Sequence, residues 1–271
     1  MVDVDTPPPF SRLPEPLVGA LRELARTPQL LVALDFDGTL APVVDDPARA
    51  RALPEARDAV LRLLRAPRTR VAVVSGRSLE SLEEVSDLPD EALLVGSHGI
   101  ELRLDEPGVQ LGLNETELER FGVLKNVLTE VADSVDQVWL EPKPAGFALH
   151  TRLATETNSR VAHLEALEEL GDDIDAYTVR TGKDVLEFSV RGTTKGDAIE
   201  HLRGYTGATA VFFAGDDVTD EDGFEALDAD DVGVKAGEGS TLANFRVKGP
   251  TEIARALSLL ADLRNGDVHE Q

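Results

Sequence analysis

The sequence predicts an α/β protein with a Rossmann-like three-layer core around a parallel sheet, into which a smaller α+β domain is inserted. Three observations predict it. Short β-branched apolar runs recur without polar alternation and end abruptly in small or polar residues, as strands buried on both faces do. Helical patterns separate them, and strand and helix alternating in this way imply right-handed βαβ units. The middle of the chain has a different rhythm, with two pairs of strands joined through glycine-containing turns.

In chain order, the first such strand is LLVALDFD at 30 to 37, which runs into Asp37-Gly38-Thr39. Asp-Gly is a turn dipeptide, so turn chemistry alone accounts for a polar exit from the sheet here. Residues 54 to 66, PEARDAVLRLLRA, begin on a proline suited to the first helical position and carry Val60, Leu61, Leu63 and Leu64. RVAVVSGR (70 to 77) is the second strand and turns into the helical SLESLEEV; EALLVGSHG (91 to 99) is the third. The middle opens with an amphipathic helix over 116 to 133 through Leu118, Phe121, Leu124, Val127, Leu128 and Val131. QVWLEPK and GFALHTRL follow around Pro144-Ala145-Gly146, then a helix near 157 to 170, then DAYTVR and DVLEFSV around Thr181-Gly182-Lys183. That order is αββαββ. AVFFAGDD (210 to 217) and DVGVKAG (231 to 237) return to buried-strand character, and residues 251 to 264 form a closing helix through Ile253, Ala256, Leu257 and Leu260. The predicted organisation is a core of 13–105 and 192–271, an insert of 106–191, and a proline-rich disordered tail of 1–12.

Composition narrows the function. The net charge of -24, from 27 Lys plus Arg against 51 Asp plus Glu, repels nucleic acid and anionic membrane, so neither is expected as a partner. The absence of cysteine removes disulfides, cysteine metal sites and thiol catalysis. No run approaches about 18 apolar residues, and MVDVDTPPPFSR has neither a basic start nor an apolar stretch, so a soluble cytoplasmic protein is expected.

In a doubly wound sheet the ligand lies outside the carboxyl ends of the strands. Asp35 and Asp37, Ser75-Gly76-Arg77, and Asp216 and Asp217 all fall there, and Lys195 opens the helical segment before the AVFFAGDD strand. Carboxylates crowded on one rim raise one another's pKa unless a positive charge sits among them. Mg²⁺ takes oxygen ligands and is commonly shared with a substrate phosphate. Backbone N–H groups at Ser75, Gly76 and Arg77 suit an anion, and Lys195 adds a point charge. A carboxylate facing a bound phosphate can attack it and form an aspartyl-phosphate; a second, two residues on, can protonate the leaving oxygen and later activate water. Taken singly, Lys195 reads as a solvated helix-start lysine and Ser75 as a cap. Their joint occurrence at strand ends favours the site.

DFDGTL, VVSGR, the TTKG lysine and GDDVTDEDGF resemble, in order, the four motifs of the haloacid dehalogenase (HAD) superfamily of phosphatases. GSHGIE, WLEPKPAGFALHTR and RTGKDVLE further resemble trehalose-6-phosphate phosphatases, whose cap domain recognises the sugar. The resemblance implies the HAD fold with a C2-type cap, and Mg²⁺ as cofactor. It implies Asp35 as nucleophile and Asp37 as general acid/base whose backbone carbonyl also meets the metal. Asp35 and Asp216 would be carboxylate ligands, with Asp217 and Asp220 adjacent or behind them, and Ser75 and Lys195 would hold the phosphoryl group. Glu141, Lys143 and Glu187 would bond sugar hydroxyls, with Arg180 and Lys183 nearby. From the residues alone, Glu141 and Lys143 also fit a solvated pair on one strand face, Lys183 a turn lysine, and His98 and His150 structural histidines, although His98 is equally a candidate for substrate. After Glu187 the family continues with a basic residue and a proline, whereas this chain has Phe188-Ser189-Val190 before Arg191.

The expected activity is Mg²⁺-dependent hydrolysis of trehalose 6-phosphate to trehalose and phosphate. Sucrose phosphate or a glucosylglycerol-type phosphate would keep the chemistry and change the sugar. A receiver-like signalling domain also gathers acids, a hydroxyl and a lysine around an aspartate, but it would have no use for a second carboxylate on the same loop or for the insert. A sugar-binding relic would lack some of the chemistry, and none is missing here.

Overall fold

The computed structural model describes residues 13–105 and 113–266. The tail expected at 1–12 lies outside them. The first segment carries α1 (Glu15–Leu24), β1 (Leu30–Leu34), α2 (Pro54–Arg65), β2 (Thr69–Val74), α3 (Leu79–Ser86), β3 (Leu93–Gly96) and β4 (Glu101–Arg103). The middle carries α4 (Glu115–Ser134), β5 (Trp139–Lys143), β6 (Gly146–His150), α5 (Glu156–Leu170), β7 (Thr178–Gly182) and β8 (Val185–Ser189). The chain then returns through α6 (Lys195–Thr206), β9 (Ala210–Gly215), α7 (Thr219–Glu225), β10 (Val232–Ala236), β11 (Phe245–Val247) and α8 (Pro250–Asn265). Two compact units result: Val109–Thr193 is one, and the segments on either side of it form the other.

In the discontinuous unit seven strands run in the order β11-β10-β9-β1-β2-β3-β4. All neighbouring pairs are parallel except β3 with β4. Every residue of β1 and β9 is buried, as a strand covered on both faces requires. Alternate residues feed two apolar layers. Leu30, Val32 and Leu34 pack with Leu17 of α1, Val60 and Leu63 of α2, and Leu257 and Leu260 of α8. Leu31 and Ala33 pack with Ile199 and Leu202 of α6 and Phe224 of α7. From β1 the chain passes to β2 on one side, whereas β9 lies on the other. The strand order therefore reverses at β1, and the crevice for a ligand opens at its carboxyl end.

The parallel core expected from the apolar runs is present, with three additions. β4 and β11 are three residues long and lie at the sheet edges, too short to show a period. α1 buries Leu17, Leu21 and Leu24 at helical spacing beside the proline-rich start, where no strand pattern flanks it.

In the continuous unit the sheet order is β5-β6-β8-β7, antiparallel throughout. Phe147, Leu149, Leu186 and Phe188 are buried, and the Phe121 ring of α4 lies 4.7 Å from that of Phe147. Leu124, Leu128 and Val131 complete the buried stripe of α4, while Leu118, placed on that stripe by the pattern, is exposed. An Asn114–Glu117 capping box starts α4, and Arg191 Nε donates to Glu117 Oε1 at 2.8 Å. Arg191, after the departure from the family pattern, thus ties the end of this unit to its first helix. The glycines serve pairing more than turning. Gly146 belongs to β6, where a Cβ would run into the Phe188 carbonyl, and Gly182 pairs with Val185 inside the β7–β8 ladder. The turns fall instead on Pro144-Ala145 and Lys183-Asp184. Among the described residues no helix is long and apolar enough to cross a membrane.

Phe212 is fully buried at the middle of β9, between β1 and β10. Phe212→Ala is expected to destabilise the chain by about 3–5 kcal/mol. Urea unfolding should show this as a lower midpoint at unchanged slope.

Candidate active site

The site begins where β1 ends. Asp35 N–H still donates to the Ala214 carbonyl at 2.9 Å, so this residue is held in sheet register although its side chain has left the apolar layers. Gly38 then turns the chain with φ of +83°, a conformation glycine adopts without penalty. A Cβ at Gly38 would overlap the Asp216 carboxylate, so the missing side chain is what lets the loops after β1 and β9 meet.

Lys195 is the first residue of α6, the wrong end of a helix for a cation. Its ammonium is nevertheless buried and donates to Asp35 Oδ1 at 2.7 Å and Asp220 Oδ1 at 2.6 Å. Burial alone would lower its pKa, but the two carboxylates outweigh this and raise it, so it stays charged. Asp220 Oδ2 accepts the amides of Asp216 and Asp217 at 2.9 and 2.8 Å. Both oxygens of Asp220 are thereby occupied, and this residue acts as a bracket for the loop that carries Asp216.

The charge is not balanced. Burial pushes the Asp35 carboxyl up to about 7 against the pull of Lys195, with Asp220 and Asp216 adding to the rise. Asp216 is pushed up to about 6, again mainly by burial, then by Asp220 and Asp217. Asp35 Oδ2 is buried and has no hydrogen-bond partner. Asp35, Asp216 and Asp220 offer oxygens within 4.8 Å of one another, a group that could hold a metal ion. A hard divalent cation fits this donor set: it would engage the orphan oxygen and favour both carboxylates in their charged form. Asp35 and Asp216 have capacity left for it. Asp217, a ligand candidate from the sequence, is exposed and stands outside this group.

Ser75 is buried at the end of β2, and its Oγ accepts the Arg77 amide at 3.2 Å, leaving its own O–H to donate. The ring of His98 packs over Gly76, where a Cβ would lie 2.6 Å from Nε2. His98 therefore shapes the phosphate-loop candidate, from a left-handed backbone conformation of φ +56°. Arg77 behaves differently from the sequence expectation. Its guanidinium is bidentate on Asp37, with Nε to Oδ2 at 2.5 Å and Nη2 to Oδ1 at 2.7 Å, and so is taken up by the candidate acid/base and not by a phosphate. Nothing in the spacing of these residues signals that contact.

In the continuous unit, Glu141, Ala148, Glu187 and Arg180 stand opposite one another across all four strands. Being in register, they share the face opposite Phe147. Lys143, two residues beyond Glu141, donates to it at 2.7 Å. Arg180 Nη2 donates to the Thr193 carbonyl at 3.2 Å. Lys183 is exposed in the β7–β8 turn and does not join the row.

A mostly parallel sheet with paired aspartates after β1, a lysine at the start of α6 and acids after β9 is the arrangement of the HAD class of α/β proteins. The trehalose-phosphatase family model matches residues 33–250, and the chain belongs to that family of phosphatases. It is 35% identical over 231 residues to the bifunctional trehalose-6-phosphate synthase/phosphatase of Thermoproteus tenax, covering 83% of this chain and 31% of that protein. It is 32% identical over 267 residues to the trehalose-phosphate phosphatase of Mycobacterium ulcerans, covering 93% and 67%. The chain thus spans about a third of the length of the first of these curated relatives and about two thirds of the second. The solved trehalose-6-phosphate phosphatase of Aspergillus fumigatus shares the fold, with a TM-score of 0.70 over 90% of this chain and 97% of that one, at 24% identity.

The folded-state values of Asp35 and Asp216 lie above those of an unfolded carboxylate, so in the absence of a cation each costs stability as pH rises from about 4. A divalent cation should reverse this. Its addition is expected to raise the thermal midpoint at about pH 7.5, and the gain should fade towards about pH 5, where protons displace the ion. Thermal melts with and without the ion at both pH values check this; an equal gain at both would contradict it.

Proposed function

We propose that the chain hydrolyses trehalose 6-phosphate to trehalose and phosphate with Mg²⁺ as cofactor, through an aspartyl-phosphate on Asp35. The observation that carries this reading is the state of Asp35: one carboxylate oxygen fixed by Lys195, the other buried without a partner, at the carboxyl end of the central strand. Membership of the trehalose-phosphatase family supports the choice of substrate.

Asp35 attacks phosphorus, and the bond between phosphorus and the sugar oxygen breaks. Asp37, protonated for this half-reaction, gives its proton to that oxygen once the Arg77 fork that holds both of its oxygens has released one of them. In the second half-reaction Asp37 takes a proton from water, whose oxygen attacks phosphorus and releases Asp35. Mg²⁺, when held by Asp35 and Asp216, neutralises negative charge on the carboxylates and the phosphoryl group. Lys195, the Ser75 hydroxyl and the Gly76 amide bind phosphoryl oxygens, while the Arg77 amide holds Ser75 Oγ in place to donate. Glu141, Glu187 and Arg180 take sugar hydroxyls, which suit donors and acceptors fixed in a row on a rigid sheet.

With Mg²⁺ present, phosphate release is expected to be fastest from trehalose 6-phosphate in a panel that includes sucrose 6-phosphate and glucosylglycerol phosphate. Preference for another member would move the substrate assignment. Asp35→Asn should reduce turnover on the order of a thousandfold or more; a variant retaining near-normal rates would remove the covalent route.

A further inference from the structure

Trp139 is the chain's one tryptophan, and it opens β5, an edge strand, with 39% of its surface exposed. Its indole lies flat against the His150 imidazole, with ring centroids 4.9 Å apart and planes 8° from parallel. The two residues are a directly opposed pair on the β5–β6 ladder. As a structural device such a pair contributes about 0.2–1 kcal/mol to the hairpin.

The neighbour on the same face gives the pair a further use. His150 Nε2 lies 2.7 Å from Glu141 Oε2, and Lys143 donates to Glu141 Oε1 at 2.7 Å. Burial would raise the Glu141 pKa, but the bonds from Lys143 and His150 prevail and hold it below the usual range. An ionised carboxylate only accepts, so His150 Nε2 carries the proton, and each carboxylate oxygen retains an unused lone pair. Two residues along a strand span about 6.6 Å, the scale of one sugar ring. The open face of this sheet therefore offers a flat apolar ring plane and, one ring-length away, a carboxylate whose rotamer is locked by two partners.

A glucopyranose has matching chemistry: an apolar face of axial C–H groups and a perimeter of hydroxyl donors. We propose that Trp139, backed by His150, is the stacking platform for one glucose ring of the substrate, with Glu141 accepting hydroxyls of that same ring. This rests on the sugar-phosphate reading above and adds the residue that recognises the apolar side of the sugar.

Excited at the red edge where its two tyrosines do not absorb, the full chain emits from Trp139 alone. Trehalose is expected to shift or quench it along a saturating curve, and glycerol at matched hydroxyl concentration is not. Trp139→Ala should lower the ratio of kcat/KM for trehalose 6-phosphate to that for p-nitrophenyl phosphate about tenfold, mainly through KM, and Trp139→Phe should restore most of it. A preparation that releases phosphate from trehalose 6-phosphate while its emission ignores trehalose overturns the platform and leaves the activity standing, as does an unchanged ratio in Trp139→Ala. Saturable emission without phosphate release supports the platform and overturns the activity instead.

Discussion

The buried ammonium of Lys195 between Asp35 and Asp220 is the contact on which the discontinuous unit and its candidate site depend. Each carboxylate alone would be expensive at that depth, and removing one member of such a group typically costs about 3–5 kcal/mol because the others are left uncompensated. The lysine fixes the start of α6 against the end of β1. Through Asp220 it also fixes the loop after β9, since the second oxygen of that aspartate holds two successive amides. One charge thus sets the relative position of three strand and helix ends. It does so incompletely, leaving excess negative charge and one bare oxygen on Asp35, and this deficit suits the site to a cation.

A second set of constraints acts without charge. Gly38 and Gly76 are both places where a neighbour's side chain occupies the volume a Cβ would need, the Asp216 carboxylate in one case and the His98 ring in the other. Close packing at these two points is polar, although the loop after β1 is also anchored below by Phe36, Leu40 and Ala41 in the apolar core. Lys235 extends the same logic outward: it is buried, donates to the Asp217 carbonyl and to Glu221, and secures the acidic loop from the β10 side.

Much of this was legible in the sequence because the signals were local. Asp35, Asp37, Ser75 and Asp216 each end a run of buried-strand residues, and a parallel sheet collects such ends on one rim. Lys195 could be placed because a capped helix start is itself a sequence pattern. The hairpins of the second unit were visible from their glycines, yet the glycines turned out to serve strand contact, as Gly146 against Phe188 shows. What could not be read were pairings between distant positions. Arg77 and Asp37 are 40 residues apart, and no property of either selects the other. Asp220 looked subordinate because its importance lies in accepting three bonds at once, a matter of loop shape. β4 and β11 were missed because three-residue edge strands leave no period to detect, and α1 because its helical spacing of leucines follows directly on the proline-rich start with no strand pattern beside it.

The order of segments along the chain has a consequence for synthesis. β1 lies between β2 and β9, and its pairing with β9 joins residues that the ribosome delivers far apart, Leu30 to Ala210. The Lys195–Asp35 bond spans 160 residues. The continuous unit, by contrast, is complete once residue 193 has emerged. Closing so long a loop is slow and adds to contact order, so the nascent chain holds β1 with one sheet edge unpaired until β9 arrives. Asp35 acquires its counter-charge late in the same process. Assembly of the Lys195–Asp35–Asp220 cluster and closure of the sheet are therefore a single event, and a truncated or stalled chain presents a folded second unit and an exposed strand edge without that cluster.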